Sequence, residues 1–439
     1  MVSGKNVAVV ALALAACAPA AAQGLQARPC PTEIGTGIAC FTVKDENGAY
    51  VLAAKPEKWN GSLIVHTYGG PRMRQPDATM VDEDLVRFIE TVREGYGWVA
   101  TSRRRGGFGV TQGAEDADNA RKTFIAAFGR PKYTIAHGQS WGGNIGAILI
   151  EKFNKPDASG KRPYDGAMLT SGVLAGGTRG YDMRLDVRAA FQAVCDVHPA
   201  PSERPYALGI GLPAGSAVTR QQVTRWFNDC TGADKKSEER SDAQKRNLAD
   251  IAGASRIPPG ALLGHIQWAT FVFQDLSEFI TGGRSAFGNV NVRYRGTSDD
   301  EAFNRKVARI AADPEAVRTL SADSDPTGRI DIPVITMHQV RDTTVFVEQQ
   351  HEYRRVVEAA GQGQYLFQTF VDDNQHSKTS PPHYPAILRA LQGWIESGKR
   401  PTIEAVVSFC EEAKGTYHGE CRFMPNFAPG PWYERVNPR

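Results

Sequence analysis

The chain has 439 residues, of which 41% are hydrophobic and 23% charged, with a formal net charge of +3. This is the composition of a globular protein, long enough for one large domain with an insertion or for two domains. So small a net charge gives no support to nucleic-acid binding, and past the N-terminus no apolar run is long enough to span a bilayer.

Residues 1–22 read as a secretory signal: Lys5 supplies the positive region and residues 7–16 a short apolar stretch. Two processing sites compete. Ala20, Ala21 and Ala22 before Gln23 form a small-residue cleavage site, while Leu14-Ala15-Ala16-Cys17 resembles a bacterial lipobox. The expectation is a secreted or periplasmic protein. The alternative is a lipid anchor in the outer membrane through Cys17. Apart from Cys17 there are six cysteines, an even count that suggests disulfides in an exported chain. Nearest-neighbour pairing predicts Cys30–Cys40, Cys195–Cys230 and Cys410–Cys421, one of fifteen connectivities.

Within a first segment over 23–175, short apolar runs alternate with amphipathic ones from about residue 42 onwards. Residues 63–66 and 98–101 read as strands, and 84–92 and 118–128 as helices, the first carrying Leu85, Phe88, Ile89 and Val92 on one face. Residues 133–136 and 166–170 read as further strands. This alternation predicts an α/β fold with a mostly parallel sheet covered by helices on both faces. Between 176 and 330 the pattern is helical, with candidates at 216–227, 261–280 and 299–311, and reads as a cap inserted over the active site. The strand–helix rhythm resumes over 331–399, with strands at 333–337 and 365–370 and helices at 347–359 and 384–397. Residues 400–439 read as an ordered extension held by Cys410 and Cys421.

The chemistry is concentrated at Gly138-Gln139-Ser140-Trp141-Gly142, a G-x-S-x-G sequence between a strand-like and a helix-like run. That context is the one a nucleophile elbow requires. A serine hydroxyl is a weak nucleophile unless a base stands beside it, and glycines at 138 and 142 permit a turn that a Cβ would obstruct. The chain order Ser, Asp/Glu, His then selects its partners. Asp342 follows the strand after the insertion, and His376 lies in the loop after the last strand. His376 would take the Ser140 proton, and Asp342 would hold the imidazole tautomer and stabilise the charge formed. Asp372 and Asp373 are rival acids. His137, His338 and His383 are rival histidines on elements that suit the base less well, and Asp331 precedes its strand at the wrong sheet edge. The oxyanion would be met by the Trp141 N–H and by a donor from the loop 66–71.

That loop contains Tyr68-Gly69-Gly70-Pro71, which resembles the prolyl oligopeptidase family, as do Arg105-Gly106-Gly107 and the elbow Gly138-Gln139-Ser140-Trp141-Gly142-Gly143. By that resemblance the Tyr68 hydroxyl is the second oxyanion donor. The family's peptidases carry a β-propeller. Only some tens of residues precede the hydrolase segment here, so the helical insertion is expected to gate the site instead. Trp59-Asn60-Gly61, Tyr164-Asp165-Gly166 and the run from Gly172 to Gly177 are similar to exported bacterial α/β-hydrolases.

Arg103, Arg104 and Arg105 end a strand near the site. Arg105 is the candidate for pairing with a substrate carboxylate, while of the others at least one would pair with a local acid such as Glu115 or Asp116 and another would be solvated. No C-x-x-C or H-E-x-x-H spacing supports a metal site, and no cofactor is expected. The expected function is cleavage of carboxylic esters of small molecules through an acyl-enzyme on Ser140. The alternatives are a peptidase or amidase with the same triad acting on short peptides and, third, a binding protein on the same fold.

Overall fold

The structure, a computed structural model, describes residues 24–198, 206–213 and 215–439. The expected signal segment and the Cys17 anchoring site lie outside the described residues. Nine strands form one sheet: β1 (Gln26–Arg28), β2 (Ile38–Lys44), β3 (Tyr50–Pro56), β4 (Leu63–Thr67), β5 (Gly97–Thr101), β6 (Thr134–Gln139), β7 (Gly166–Thr170), β8 (Val334–Gln339) and β9 (Leu366–Val371). Their order is β1-β2-β3-β5-β4-β6-β7-β8-β9. The first three strands are antiparallel, as is the β3–β5 pair; from β5 through β4 to β9 every pair is parallel.

The parallel strands are apolar throughout because both faces are covered. Along β4, Leu63 and Val65 point into one core and Ile64 into the other. The first face carries α1 (Val110–Phe128) and α2 (Trp141–Lys152). Between β7 and β8 lie α3 (Met183–Cys195), α4 (Arg220–Thr231), α5 (Asp242–Ser255), α6 (Leu262–Phe279) and α7 (Pro314–Ser324), among shorter helices. The last of these returns to the sheet: the Asn144 amide of α2 donates to the Ser324 carbonyl at 2.8 Å. After β8 come α8 (Gln349–Ala359), α9 (His383–Ser397) and α10 (Ile403–Tyr417). The apolar faces of α9 and α10 cover the second side of the sheet.

Two elements differ from their sequence reading. The helix expected over 84–92 is two short turns, Asp82–Arg87 and Ile89–Arg93. They break at Phe88, whose ring is held between His66, His137 and Tyr384 at 5.1, 4.8 and 5.4 Å. Helix α1 starts eight residues before the expected 118. Its first turn has free N–H groups that need acceptors, and the Asp323 carboxylate takes those of Val110 and Thr111 at 3.0 and 3.1 Å.

The three disulfides are Cys30–Cys40, Cys195–Cys230 and Cys410–Cys421. The second joins the last turns of α3 and α4. The third ties α10 to the segment that pairs Phe423 with Val371 at the end of β9. No helix among the described residues is long and apolar enough to cross a membrane.

Candidate active site

The sheet order puts β5 on one side of β4 and β6 on the other, so the loops leaving β4 and β6 diverge at their carboxyl ends. A crevice at such a switch point is where open α/β sheets bind ligands. Thr67 ends β4 opposite Gly138 of β6, and Ser140 follows at once.

Ser140 has φ 57° and ψ −125°, a conformation that costs an L-residue energy and is held only by its surroundings. The turn closes because glycines stand where the backbones touch. A Cβ on Gly142 would lie 2.0 Å from the Thr67 carbonyl oxygen, and one on Gly138 would lie 2.3 Å from that of Gly142. The Thr67 hydroxyl donates to the Gly142 carbonyl at 2.7 Å and clamps the β4 end against the elbow.

His376 Nε2 lies 2.7 Å from Ser140 Oγ, and His376 Nδ1 lies 2.6 Å from Asp342 Oδ2. The other carboxylate oxygen accepts the N–H groups of Thr344 and Val345 at 2.8 and 3.1 Å. Burial pushes the Asp342 carboxyl up, but the His376 bond, the charges of His376 and His338 and the Val345 N–H outweigh it and hold the group below its ordinary value. The carboxylate is therefore ionised at neutral pH and aimed at Nδ1, and Nε2 faces the Ser140 hydroxyl.

The rival residues are engaged elsewhere. Asp372 pairs with Arg341 on the surface. Asp373 accepts the N–H groups of Asn374 and Gln375, and Asp331 pairs with Arg162. His338 is 3.7 Å from Asp342, yet its Nδ1 accepts from the Gln350 amide at 3.0 Å and its Nε2–H donates to the Val345 carbonyl at 2.8 Å. Burial lowers its pKa, so it packs as a neutral ring beside the acid. His137 is buried against His66, with the two Nδ1 atoms 3.0 Å apart. His383 accepts the Arg422 N–H.

Two of the candidate residues make their contacts elsewhere in the fold. The Tyr68 hydroxyl donates to the Ser102 carbonyl at 2.9 Å and accepts from Arg103 Nε at 2.6 Å. Its single proton is thus committed away from the oxyanion, and only the backbone of its loop meets the elbow: a Cβ on Gly69 would stand 3.0 Å from that of Ser140. Arg105 is paired with Asp275 of α6, donates to the Phe108 carbonyl and stacks on Phe279 at 3.8 Å, so it holds two parts of the fold together. Arg104 pairs with Asp116 and Glu115, as expected of one local arginine.

Several contacts around the site have no mark in the sequence. The Gln139 amide donates to Ser377 Oγ at 2.6 Å and links the elbow to the histidine loop. Ser171 donates to Gln339 at 2.7 Å and links the ends of β7 and β8. Trp141 begins an aromatic wall: its ring centre is 5.5 Å from that of Phe108, which lies 6.0 Å from Tyr181 and 6.4 Å from Trp268. Arg103 is buried between the Tyr68 and Trp141 rings, at 3.7 and 4.5 Å. These are long-range meetings of ordinary residue types, and no local pattern marks them. Among the described residues no group of three or more His, Cys, Asp or Glu side chains could hold a metal ion.

No family model matches the chain, and no curated protein matches it. Solved structures do. An esterase from Aspergillus oryzae is similar over 87% of this chain and 87% of its own, at 12% identity and a TM-score of 0.43. A Pyrococcus furiosus esterase covers 91% of this chain and 97% of its own, at 11% identity and a TM-score of 0.39. An acylaminoacyl peptidase in complex with a chloromethyl ketone covers 88% of this chain at 10% identity and a TM-score of 0.41, and the chain spans only 44% of that peptidase's length. With its parallel strands from β5 to β9, its switch point at β4 and an elbow at the end of β6, the chain has the α/β-hydrolase fold.

Proposed function

We propose that the protein is a serine hydrolase that cleaves carboxylic esters, with Ser140 as nucleophile, His376 as general base and acid, and Asp342 as the group that orients His376. The observation that carries this reading is the unbroken line of hydrogen bonds from Asp342 through His376 to Ser140, at 2.6 and 2.7 Å. Ser140 Oγ attacks the ester carbonyl as its proton moves to His376 Nε2. The C–O bond to the leaving alcohol then breaks, and His376 returns the proton to that oxygen. Water attacks the acyl-enzyme by the same route, with His376 taking its proton and passing it to Ser140 as the acid leaves.

The developing oxyanion is met by the backbone N–H of Trp141, at the N-terminus of α2, and by a backbone N–H of the loop over residues 68–70, which touches the elbow. Tyr68 then serves through its place in that loop. The hydroxyl that would have tied this site to the prolyl oligopeptidase chemistry is engaged with Ser102 and Arg103, so the ester reading stands ahead of the peptidase one. The helices between β7 and β8 act as the cap. Export fits three disulfides, since such bonds persist in oxidising compartments.

The test is labelling by a fluorophosphonate probe, with mass spectrometry of the modified peptide, followed by turnover of matched ester and amide substrates. Label on Ser140, its loss in Ser140→Ala and faster turnover of the ester are expected. Label on another residue, or Ser140→Ala turning over at the parent rate, would overturn the assignment. Faster turnover of the amide would make the protein a peptidase or amidase.

A further inference from the structure

The helical block between β7 and β8 carries a buried arginine that the reaction steps above leave unused. Arg184 lies in the first turn of α3 and is 4% exposed. Its guanidinium stacks on Trp268 at 4.0 Å and on Tyr181 at 4.7 Å. Its Nε donates to His265 Nδ1 at 3.2 Å, while its Nη1 is buried and has no acceptor. Among the described residues no carboxylate pairs with it.

The surroundings connect this guanidinium to the triad from two directions. Because His265 Nδ1 accepts from Arg184, its Nε2–H is the donor, and it reaches the Thr343 carbonyl at 2.9 Å. Thr343 follows Asp342, and the next N–H, that of Thr344, holds the Asp342 carboxylate. On the other side, Tyr181 and Trp268 stack with ring centres 4.3 Å apart and continue through Phe108 to Trp141, the neighbour of Ser140. Arg103, a buried guanidinium beside Trp141, also has a buried Nη1 without an acceptor.

A guanidinium has five N–H donors in a planar fork that matches a carboxylate. Burying its charge without a counter-ion opposes folding, and a neutral side chain of the same bulk would fill the space between the rings at less cost. Burial draws the Arg184 pKa down to about 10, which still leaves a cation at neutral pH. Ring stacking covers the faces of the guanidinium, while at its edge Nη1 has the Tyr181 hydroxyl beside it but no acceptor in good hydrogen-bond geometry and no anion.

We propose that Arg184 receives a carboxylate of the substrate, so that the esters cleaved here carry a free carboxylate. This deepens the ester-hydrolase reading and rests on Ser140 as the nucleophile.

The experiment compares esters that differ only in that charge. Mono-4-nitrophenyl glutarate against 4-nitrophenyl valerate places the carboxylate on the acyl side; 3-acetoxybenzoate against 3-acetoxybenzamide places it on the alcohol side. In at least one pair the wild-type protein is expected to favour the anion in kcat/KM by roughly ten- to a hundredfold, the usual worth of a charge-assisted hydrogen bond. In Arg184→Met, which keeps the stem between the rings, that ratio is expected to fall towards one. A residue that acted only by positioning the acid loop through His265 would slow both members of a pair alike and leave the ratio unchanged, which would overturn the proposal. Independently of how the variant folds, glutarate is expected to slow fluorophosphonate labelling of the wild-type protein while glutaramide is not. Labelling of Ser140 with no preference for the anion in either pair would overturn the proposal alone. No labelling of Ser140 would overturn the nucleophile assignment, and the proposal with it.

Discussion

The carboxylate of Asp275, on α6 of the helical block, pairs with Arg105 in the loop after β5 and also accepts the Phe108 N–H at 2.5 Å. One side chain of the block thus closes over the loop that carries Arg105 and Phe108, and Phe108 is the ring that continues the wall from Trp141. The pair is mostly buried, with side-chain exposures of 27% and 9%. Asp275→Ala is expected to destabilise the protein by roughly 1–3 kcal/mol, because the Phe108 N–H and the Arg105 guanidinium both lose an acceptor. A double-mutant cycle with Arg105→Ala, read by chemical denaturation, is expected to show coupling between the two positions. Additive losses within a few tenths of a kcal/mol would mean that the contact contributes nothing.

The proposed role of Asp342 as the acid is testable against its neighbours. Asp342→Asn is expected to lower kcat on the order of ten-thousandfold, because an amide presents its N–H₂ or its oxygen to His376 without fixing the tautomer. Asp372→Asn removes only a surface partner of Arg341. Asp373→Asn keeps an oxygen that can cap Asn374 and Gln375. Both are expected to stay within about tenfold of the parent, since neither touches the reacting atoms. Steady-state kinetics on one chromogenic ester decides it, and a larger loss at 372 or 373 than at 342 would relocate the acid.

Tyr68 separates a hydroxyl that acts in the reaction from one that holds the fold. Its oxygen sits between the Ser102 carbonyl and Arg103 Nε, and its ring lies between the guanidinium groups of Arg103 and Arg72 at 3.7 and 4.2 Å. Tyr68→Phe strands a buried donor and a buried acceptor, for an expected stability loss of about 1–3 kcal/mol, with kcat changed less than about tenfold. Loss of an oxyanion donor instead lowers kcat by roughly a hundredfold or more. A fall of that size with an unchanged Tm would return the hydroxyl to the oxyanion.

What could be read from the sequence follows from where the information lies. The elbow, the chain order of Ser140, Asp342 and His376 and the strand positions depend on short stretches with their own period and punctuation. So do the pairings Cys30–Cys40 and Cys410–Cys421, which close loops between near neighbours. The start of α1 at Val110 was illegible because its first N–H groups are taken by Asp323, some two hundred residues away. The role of Arg105 was illegible for the same reason, since its partner Asp275 sits on another element. Tyr68 is a different case: its motif resembles a family, but a hydroxyl's direction is set by what surrounds it, and here Arg103 turns back into the fold to meet it. Helix α10 was legible and missed. Val406, Cys410, Ala413 and Tyr417 recur at helical spacing and are its buried residues.

Buried neutral histidines supply a last prediction. Burial lowers the pKa of His265 to about 3; the Arg184 charge adds to this, and the Thr343 carbonyl and Asp342 offset part of it. In the unfolded chain a histidine titrates near 6.5. Between those two values the unfolded state binds the extra proton, so the stability contributed by this group is full above about 6.5 and declines as the pH falls towards the folded value. Groups elsewhere pull in both directions: burial likewise lowers His198 to about 3, whereas it raises the Asp182 carboxyl to about 7. The slope of the whole protein therefore does not isolate one residue, but a difference does. His265→Gln removes the titrating ring and is expected to be less stable than the parent at pH 7, where the bonds to Arg184 and Thr343 are disturbed. As the pH falls from 7 to 4 the parent loses the His265 contribution and the variant has none to lose, so the gap in Tm is expected to narrow. Thermal unfolding of both proteins across that range is the measurement. A gap that stays constant or widens would mean that His265 does not titrate with so low a pKa in the folded protein, and that its ring carries a proton beside Arg184 instead of accepting one from it.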